Sequence, residues 1–164
     1  MGSGYSGLYT GTKGCNSVPG SIDYMNKNDN FSKFIKNRKD IDSNGFYDII
    51  AHGSPISIQV NHNGKDITIN HRIAAKLLKA NKKYNGQGIR LLSCSTGKIE
   101  NGFAQNLANK LKVPVMAPTD ILWAKPNGSY YVASGITING VMTIDKTKKR
   151  GRFKTFYPKK GGKK

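Results

Sequence analysis

Phe46-Tyr47-Asp48-Ile49-Ile50-Ala51-His52-Gly53-Ser54 and Ile89-Arg90-Leu91-Leu92-Ser93-Cys94-Ser95-Thr96-Gly97 decide how this chain is read. Each is an apolar run that stops abruptly at small and polar residues, the pattern of a strand buried on both faces of a parallel sheet. In open α/β sheets the ligand crevice lies outside the carboxyl ends of the strands, so residues just past two such runs share one rim. The pattern therefore predicts that His52 and Cys94 face each other there. A thiolate is a strong nucleophile, and a neighbouring imidazole can take up its proton and pass one to a leaving group. Gly53, with no Cβ, would let a scissile carbonyl approach closely, and its N–H together with that of Cys94 would form an oxyanion hole. Gly97 would free the chain to turn into the next helix.

Outward from these motifs, 164 residues fit one domain large enough to bury a core. Residues 1–27 read as an N-terminal arm or linker, because Gly11, Gly14 and Gly20 break any long periodic element; residues 28–158 read as the domain and 159–164 as a basic tail. Phe31, Phe34 and Ile35 predict a short helix capped by Asn28 or Asp29. Alternating runs on either side of Asn63-Gly64 predict a hairpin with His62 at its tip. Asn70 is placed to cap a helix over about 71–83, with Ile73, Ala74, Leu77 and Leu78 inward and His71 as a surface histidine in its first turn. Phe103, Ala104, Leu107, Ala108 and Leu111 mark a second helix after the Cys94 loop, which makes a βαβ unit; Lys98 and a nearby helix N-terminus would favour the thiolate. Residues 113–117 predict a third parallel strand, and Pro118-Thr119-Asp120-Ile121-Leu122-Trp123 a loop on the same rim. Residues 129–133, 136–138 and 141–144, with a turn at Asn139-Gly140, read as an antiparallel meander or flap. The fold class is α/β, with a mainly parallel sheet and a C-terminal antiparallel β-flap.

The chain carries 27 Lys and Arg against nine Asp and Glu, a formal net charge of +18. From Lys146 onward Lys148, Lys149, Arg150, Arg152, Lys154, Lys159, Lys160, Lys163 and Lys164 come without an acid. A polyanion is the expected partner, and nucleic acid, an anionic membrane surface, an acidic protein and an inositol polyphosphate satisfy the charge equally. The alternative is a solvated basic face that serves solubility alone. Cys15 and Cys94 are too few for a disulfide framework or a CxxC site, so no metal is expected. No apolar stretch approaches the roughly 18 residues of a membrane span, and any export signal is expected outside this sequence. Met1-Gly2-Ser3-Gly4-Tyr5-Ser6 matches the N-myristoylation pattern and is read instead as a cloning remnant.

The two strand-end motifs together resemble the caspase-like cysteine peptidases of clan CD type, in which His-Gly comes first and, in caspases, lies about 50 residues upstream of Cys. The Gln-Ala-Cys signature of caspases is absent. The nearer likeness is to the autoprocessing domains of large bacterial toxins, the clostridial glucosylating and RTX types, whose second strand ends in Leu-Leu-x-Cys; Leu91-Leu92-Ser93-Cys94 matches it. The likeness spans roughly residues 46–158 and includes Gly151-Arg152-Phe153-Lys154-Thr155-Phe156-Tyr157-Pro158. The His-Gly and Ser-Cys-Ser-Thr-Gly segments are also similar to C-terminal toxin domains of Rhs and wall-associated polymorphic toxins.

The resemblance implies caspase-like αβα layers, Cys94 as nucleophile, His52 as acid/base, and the Gly53 and Cys94 amides as oxyanion hole. It implies a substrate pocket around Ser54, Ser93, Asp120 and Trp123. There Asp120 would bind a basic side chain and Trp123 would form an apolar wall; otherwise Asp120 caps a turn and Trp123 fills the sheet edge. Lys146, Lys148, Lys149, Arg150, Arg152 and Lys154 would bind inositol hexakisphosphate as an activator. The arm would supply the first self-cleaved bond, after Leu8 or Lys13. The expected setting is a monomeric domain secreted within a larger bacterial protein and acting in the target-cell cytosol on a peptide or protein, with an acidic immunity protein as a partner. Two other readings stay open: a basic polymorphic-toxin domain acting on RNA or DNA, and a non-catalytic caspase-like module in which Cys94 is only a small buried hydrophobe.

Overall fold

Buried strands need cover on two faces, and the order of the remaining elements supplies it. The structure, a computed structural model, describes residues 14, 20–42 and 45–160. The chain runs β1 (Ser21–Asp23), α1 (Asn30–Ile35), β2 (Tyr47–Ile50), β3 (His52–Gly53), β4 (Ile58–His62), β5 (Lys65–Ile69), α2 (His71–Ala80) and β6 (Ile89–Leu92). It continues through α3 (Phe103–Leu111), β7 (Val115–Pro118), β8 (Ile121–Ala124), β9 (Tyr130–Ala133), β10 (Gly135–Ile138), β11 (Val141–Ile144) and β12 (Phe153–Phe156).

The main sheet has the order β1-β2-β6-β7-β12. Its first four strands are parallel, with Tyr47 opposite Ile89 and Ile50 opposite Leu92, and β12 closes the far edge antiparallel to β7. Alternation along β2 and β6 feeds two cores. Tyr47, Ile49, Ile89 and Leu91 pack with Ala74, Leu77 and Leu78 of α2 and with Leu107 and Ala108 of α3. Ile50 and Leu92 pack on the other side with Met25, Ile35 of α1, Leu122 of β8 and Val132 of β9. The fold is therefore mixed α/β: a mostly parallel sheet, with separate antiparallel pieces β3-β4-β5, β8-β9 and β10-β11.

Local chemistry sets the ends of the elements. The Asn70 side chain accepts the Ile73 N–H at 3.0 Å and caps α2. Asn63 and Gly64 take φ of 53° and 82°, the two-residue turn that matches strand twist, and join β4 to β5. At the amino end of the sheet, Asp48 is buried between two arginines. Its Oδ2 accepts from Arg38 Nη2 at 2.8 Å and Arg90 Nη2 at 2.7 Å, and its Oδ1 from Arg90 Nε at 2.7 Å. Arg90 also donates to Asp40 and Tyr130, so β2, β6, β9 and the segment after α1 are tied at one node.

Several expectations are corrected. Residues 21–23, inside the stretch read as an arm, form β1; three residues are too few to show a period. The loop expected over 118–123 contains β8, and β8 pairs with β9. Of the meander or flap expected over 129–144, the antiparallel flap is present as the β10–β11 hairpin, while β9 pairs back with β8 and so does not continue it as a meander. Part of the cationic C-terminal stretch is the edge strand β12, whose Phe156 is buried. The α2 helix stops at Ala80 rather than near residue 83. Leu8, Lys13, Cys15 and the myristoylation pattern lie outside the described residues.

Candidate functional site

The parallel register carries the two motifs to the same height. Ile50 faces Leu92 and the Ala51 N–H donates to the Leu92 carbonyl at 3.3 Å; there the ladder ends, His52 opens β3, and Cys94 lies in the bend two residues past β6. Ile50 and Leu92 point into the second core, Ala51 into the first, and Cys94 again packs against the second. Gly53 packs on the Cys94 loop, where a Cβ would come within 2.8 Å of the Cys94 carbonyl oxygen and 2.7 Å of Thr96 Cγ2. Only glycine fits this contact between the two motifs. His52 also pairs with Gln59, so it belongs to the short strand β3 rather than to a loop.

His52 is held by a residue that the sequence offered only as a cap. Asp29 Oδ1 accepts the Phe31 N–H at 2.9 Å and starts α1, while Asp29 Oδ2 lies 2.6 Å from His52 Nε2. With the carboxylate accepting from Nε2–H, Nδ1 carries the lone pair and can accept a proton. The imidazole is 46 % exposed, open to a reactant.

Cys94 is half-buried, and its sulfur points at the Leu122 carbonyl at 3.9 Å. Burial pushes the thiol above its ordinary value, and the Asp120 carboxylate adds to the rise. At rest this group is a thiol. Its loop is fixed by Ser95 N–H to the Asp120 carbonyl at 2.9 Å and by a 2.9 Å bond between the buried Ser93 and Thr96 hydroxyls. The left-handed residue of the loop is Ser95, at φ 61°. Gly97 does not supply turning freedom as expected. It supplies close approach: its N–H donates to the Pro118 carbonyl at 2.8 Å, and a Cβ would stand 2.6 Å from the Ala117 oxygen. Lys98 is exposed.

The residues expected to form one substrate pocket have different neighbours. Ser54 lines a cavity of about 390 Å³ with His52, Ser57, Gln59, Asp66 and Thr68, on the β4–β5 side of the imidazole. Ser93 is turned to Thr96. Asp120 accepts the Ser134 hydroxyl at 2.6 Å and its neighbour's amide, Ile121 N–H, at 2.8 Å, so both carboxylate oxygens are engaged. Trp123 Nε1–H donates to the Ala133 carbonyl at 3.0 Å.

Lys146, Lys148, Lys149, Arg150 and Arg152 are exposed on the connection from β11 to β12. Antiparallel pairing of Phe153 with Pro118 brings that connection to the carboxyl edge of β7, near the Cys94 loop. Two bonds fasten it there: Arg152 N–H to Thr119 Oγ1 at 3.0 Å and Thr119 N–H to the Arg152 carbonyl at 2.9 Å. Arg150 lies 4.7 Å over the Tyr131 ring and Lys154 5.1 Å over Phe156. His71 is not a simple surface histidine, because its Nε2 is buried without a partner; burial, then Arg72 and Lys110, hold its pKa low. Among the described residues no group of three or more His, Cys, Asp or Glu gathers to hold a metal ion, and no helix is long and apolar enough to cross a membrane.

A family model described as "Domain of unknown function (DUF8616)" matches residues 20–132. The chain belongs to this family. The matched span holds Asp29, His52, Cys94, Asp120 and Trp123, and ends within β9, before the β10–β11 hairpin and the cationic connection. Comparison with curated proteins and with solved structures found no match.

Proposed function

We propose that this DUF8616 chain is a caspase-like cysteine peptidase, with Cys94 as nucleophile, His52 as acid/base and Asp29 orienting the imidazole. The observation that carries the proposal is the contact of the His52-Gly53 motif with the Cys94 loop just past the adjacent parallel strands β2 and β6, where a Cβ on Gly53 would fall 2.8 Å from the Cys94 carbonyl oxygen. As the Cys94 sulfur forms a bond to the scissile carbonyl carbon, its proton passes to His52 Nδ1. The oxyanion that develops is met by the Gly53 and Cys94 amides. His52 then protonates the departing amine as the C–N bond breaks, and water, deprotonated by His52, releases the acyl group and restores the thiol. The cavity beside His52 is on the leaving-group side, where Asp66 and the Ser54, Ser57 and Thr68 hydroxyls favour a polar or basic residue.

A resting thiol calls for activation. The cationic connection, bonded to Thr119 next to Asp120, supports a polyanion such as inositol hexakisphosphate in that role. In this reading the chain is an autoprocessing domain of a bacterial toxin or effector, secreted within a larger protein and acting in the target-cell cytosol. The test is mass spectrometry of the chain, incubated with and without inositol hexakisphosphate. A new terminus that requires both His52 and Cys94 is expected. An intact chain, with Cys94 unreactive toward peptidyl electrophiles under both conditions, would refute the proposal. One observation favours a non-catalytic caspase-like module instead: burial raises the Cys94 pKa and Leu122 stands at the sulfur. In that case, replacing Cys94 changes stability alone.

A further inference from the structure

The β10–β11 hairpin forms a two-stranded sheet of its own. Its turn residues Asn139 and Gly140 have φ of 51° and 77°, so the strands reverse within two residues. Ile138 and Val141 sit opposite each other beside that turn, Met142 faces Thr137, and Ile136 faces Thr143. Ile136, Ile138, Val141 and Met142 are 43 %, 52 %, 63 % and 54 % exposed. Side chains alternate across a ribbon, so the first three lie on one face and Met142 on the other. Met142 lays its sulfur back over Gly135 at the hairpin base, so the tip itself presents the aliphatic face of Ile136, Ile138 and Val141. Isolated exposed apolar side chains are ordinary, but four on one hairpin form a patch.

The base of the hairpin has the opposite character. The chain leaving β11 presents Lys146, Lys148, Lys149 and Arg150 to solvent, while the one acid there, Asp145, is engaged by the Thr147 hydroxyl at 2.6 Å. Arg150 of that connection and Lys125, just past β8, lie 4.7 Å and 5.8 Å from the centre of the Tyr131 ring, so Lys125 adds a second element to the same cationic collar. Trp123 adjoins the base, since a Cβ on Gly135 would be 3.4 Å from Trp123 Cζ2. An aliphatic tip, then amphipathic aromatics, then cations is the order of chemistry met on leaving a bilayer through its interface. Four residues of strand reach roughly 10 Å, enough to cross the headgroup region.

We infer that the β10–β11 hairpin is a membrane-docking finger, whose aliphatic tip enters an anionic lipid bilayer while Lys125, Lys146, Lys148, Lys149 and Arg150 meet the lipid phosphates. Charge complementarity selects this occupant: the chain carries +18, and a solution polyanion or an acidic protein would use the collar but leave the tip without a partner. The inference does not rest on the peptidase reading.

The experiment is co-sedimentation of the full chain with vesicles of phosphatidylcholine alone and of phosphatidylcholine with phosphatidylserine. Binding is expected to the anionic vesicles and to weaken with salt. The double variant Ile138→Ser/Val141→Ser keeps every charge and changes only exposed side chains; it is expected to lose at least about tenfold in partitioning. The triple variant Lys148→Gln/Lys149→Gln/Arg150→Gln is expected to lose a similar factor. Circular dichroism checks that both variants fold. A serine variant that partitions like the parent chain overturns the inference, because the cations then act alone. Binding to tRNA or to inositol hexakisphosphate without binding to anionic vesicles overturns it too, as does self-association that the serine variant abolishes in the absence of vesicles.

Discussion

Replacing Asp29 by Asn separates the two tasks of that side chain. Asn caps a helix as well as Asp does, so the bond to Phe31 N–H and the start of α1 are retained. The amide oxygen goes to that cap, which leaves the NH₂ facing His52 Nε2 and turns an acceptor into a donor. The imidazole must then keep its proton on Nδ1, where it can no longer take one from Cys94. The pair is partly exposed, 46 % for His52 and 27 % for Asp29, so its contribution to stability is at most about 1 kcal/mol. Asp29→Asn should lower the melting temperature by no more than about 2–4 °C. Asp29→Ala loses the cap as well, about 1 kcal/mol more, and should melt lower again by a similar step. Reactivity should behave differently, because a wrong tautomer in an acid/base pair costs on the order of 10² to 10⁴ in rate. The assay is the rate of Cys94 modification by a peptidyl electrophile, read by mass spectrometry beside thermal unfolding. An Asn variant that reacts at the parent rate, or a rate that falls only with the folded fraction, would leave Asp29 as a cap and nothing more.

Gly53→Ala places a methyl 2.8 Å from the Cys94 carbonyl, and should cost about 1–3 kcal/mol in urea unfolding and abolish Cys94 reactivity at temperatures where the fold persists. Asp48→Ala takes the carboxylate from Arg38, whose side chain is 1 % exposed, and leaves the 13 % exposed Arg90 with only Asp40 and Tyr130, and should cost about 3–5 kcal/mol or prevent folding. Asp40→Ala, at the exposed end of the same network, should cost under about 1 kcal/mol by the same measurement. His71 takes its proton at lower pH in the folded chain than at its usual 6.5, so between those values the unfolded chain binds more protons and stability falls as pH falls. Urea titrations from neutral to mildly acidic pH should show that slope in the parent and lose it in His71→Gln. Thr119→Val removes the hydroxyl that accepts Arg152 N–H; it should keep polyanion binding in calorimetry and lose any polyanion response of Cys94.

What the sequence made legible was what short-range chemistry writes into it. Continuous apolar runs marked β2 and β6 because both faces are covered, Asn63-Gly64 and Asn139-Gly140 marked two-residue turns, and Asn70 marked the start of α2. Hidden were elements whose pattern another demand overwrote. In β12 Lys154 and Thr155 separate Phe153 from Phe156 within a cationic stretch, and in β8 the four residues after Asp120 are too few to show a period. Long-range pairs left no trace either. Asp29 and His52 are 23 residues apart, and the only available signal was an N-cap carboxylate with a second oxygen still to place. Gly97 shows the same limit from the other side, since a glycine chosen for its approach to Ala117 looks in sequence like one chosen for freedom to turn.

The sign of the electrostatics constrains how a polyanion can act on this site. Asp120 already disfavours the Cys94 thiolate, and an anion held by the neighbouring cations would add negative potential from the same side. By Coulomb's law alone such a ligand makes the sulfur a poorer nucleophile. In the proposed peptidase, activation by such a ligand would therefore have to come from geometry. The turn from β7 to β8 is placed for that: Thr119 exchanges two hydrogen bonds with Arg152, the Asp120 carbonyl holds Ser95 N–H, and Leu122 stands over the sulfur. A ligand that pulls the β11–β12 connection moves this turn, shifting the cover over Cys94 together with the loop that carries it. A ligand that only neutralised the cations would leave the cover in place and the thiol protonated, so under the proposed function the hydrogen bonds at Thr119, rather than the number of lysines, would decide whether binding became activity.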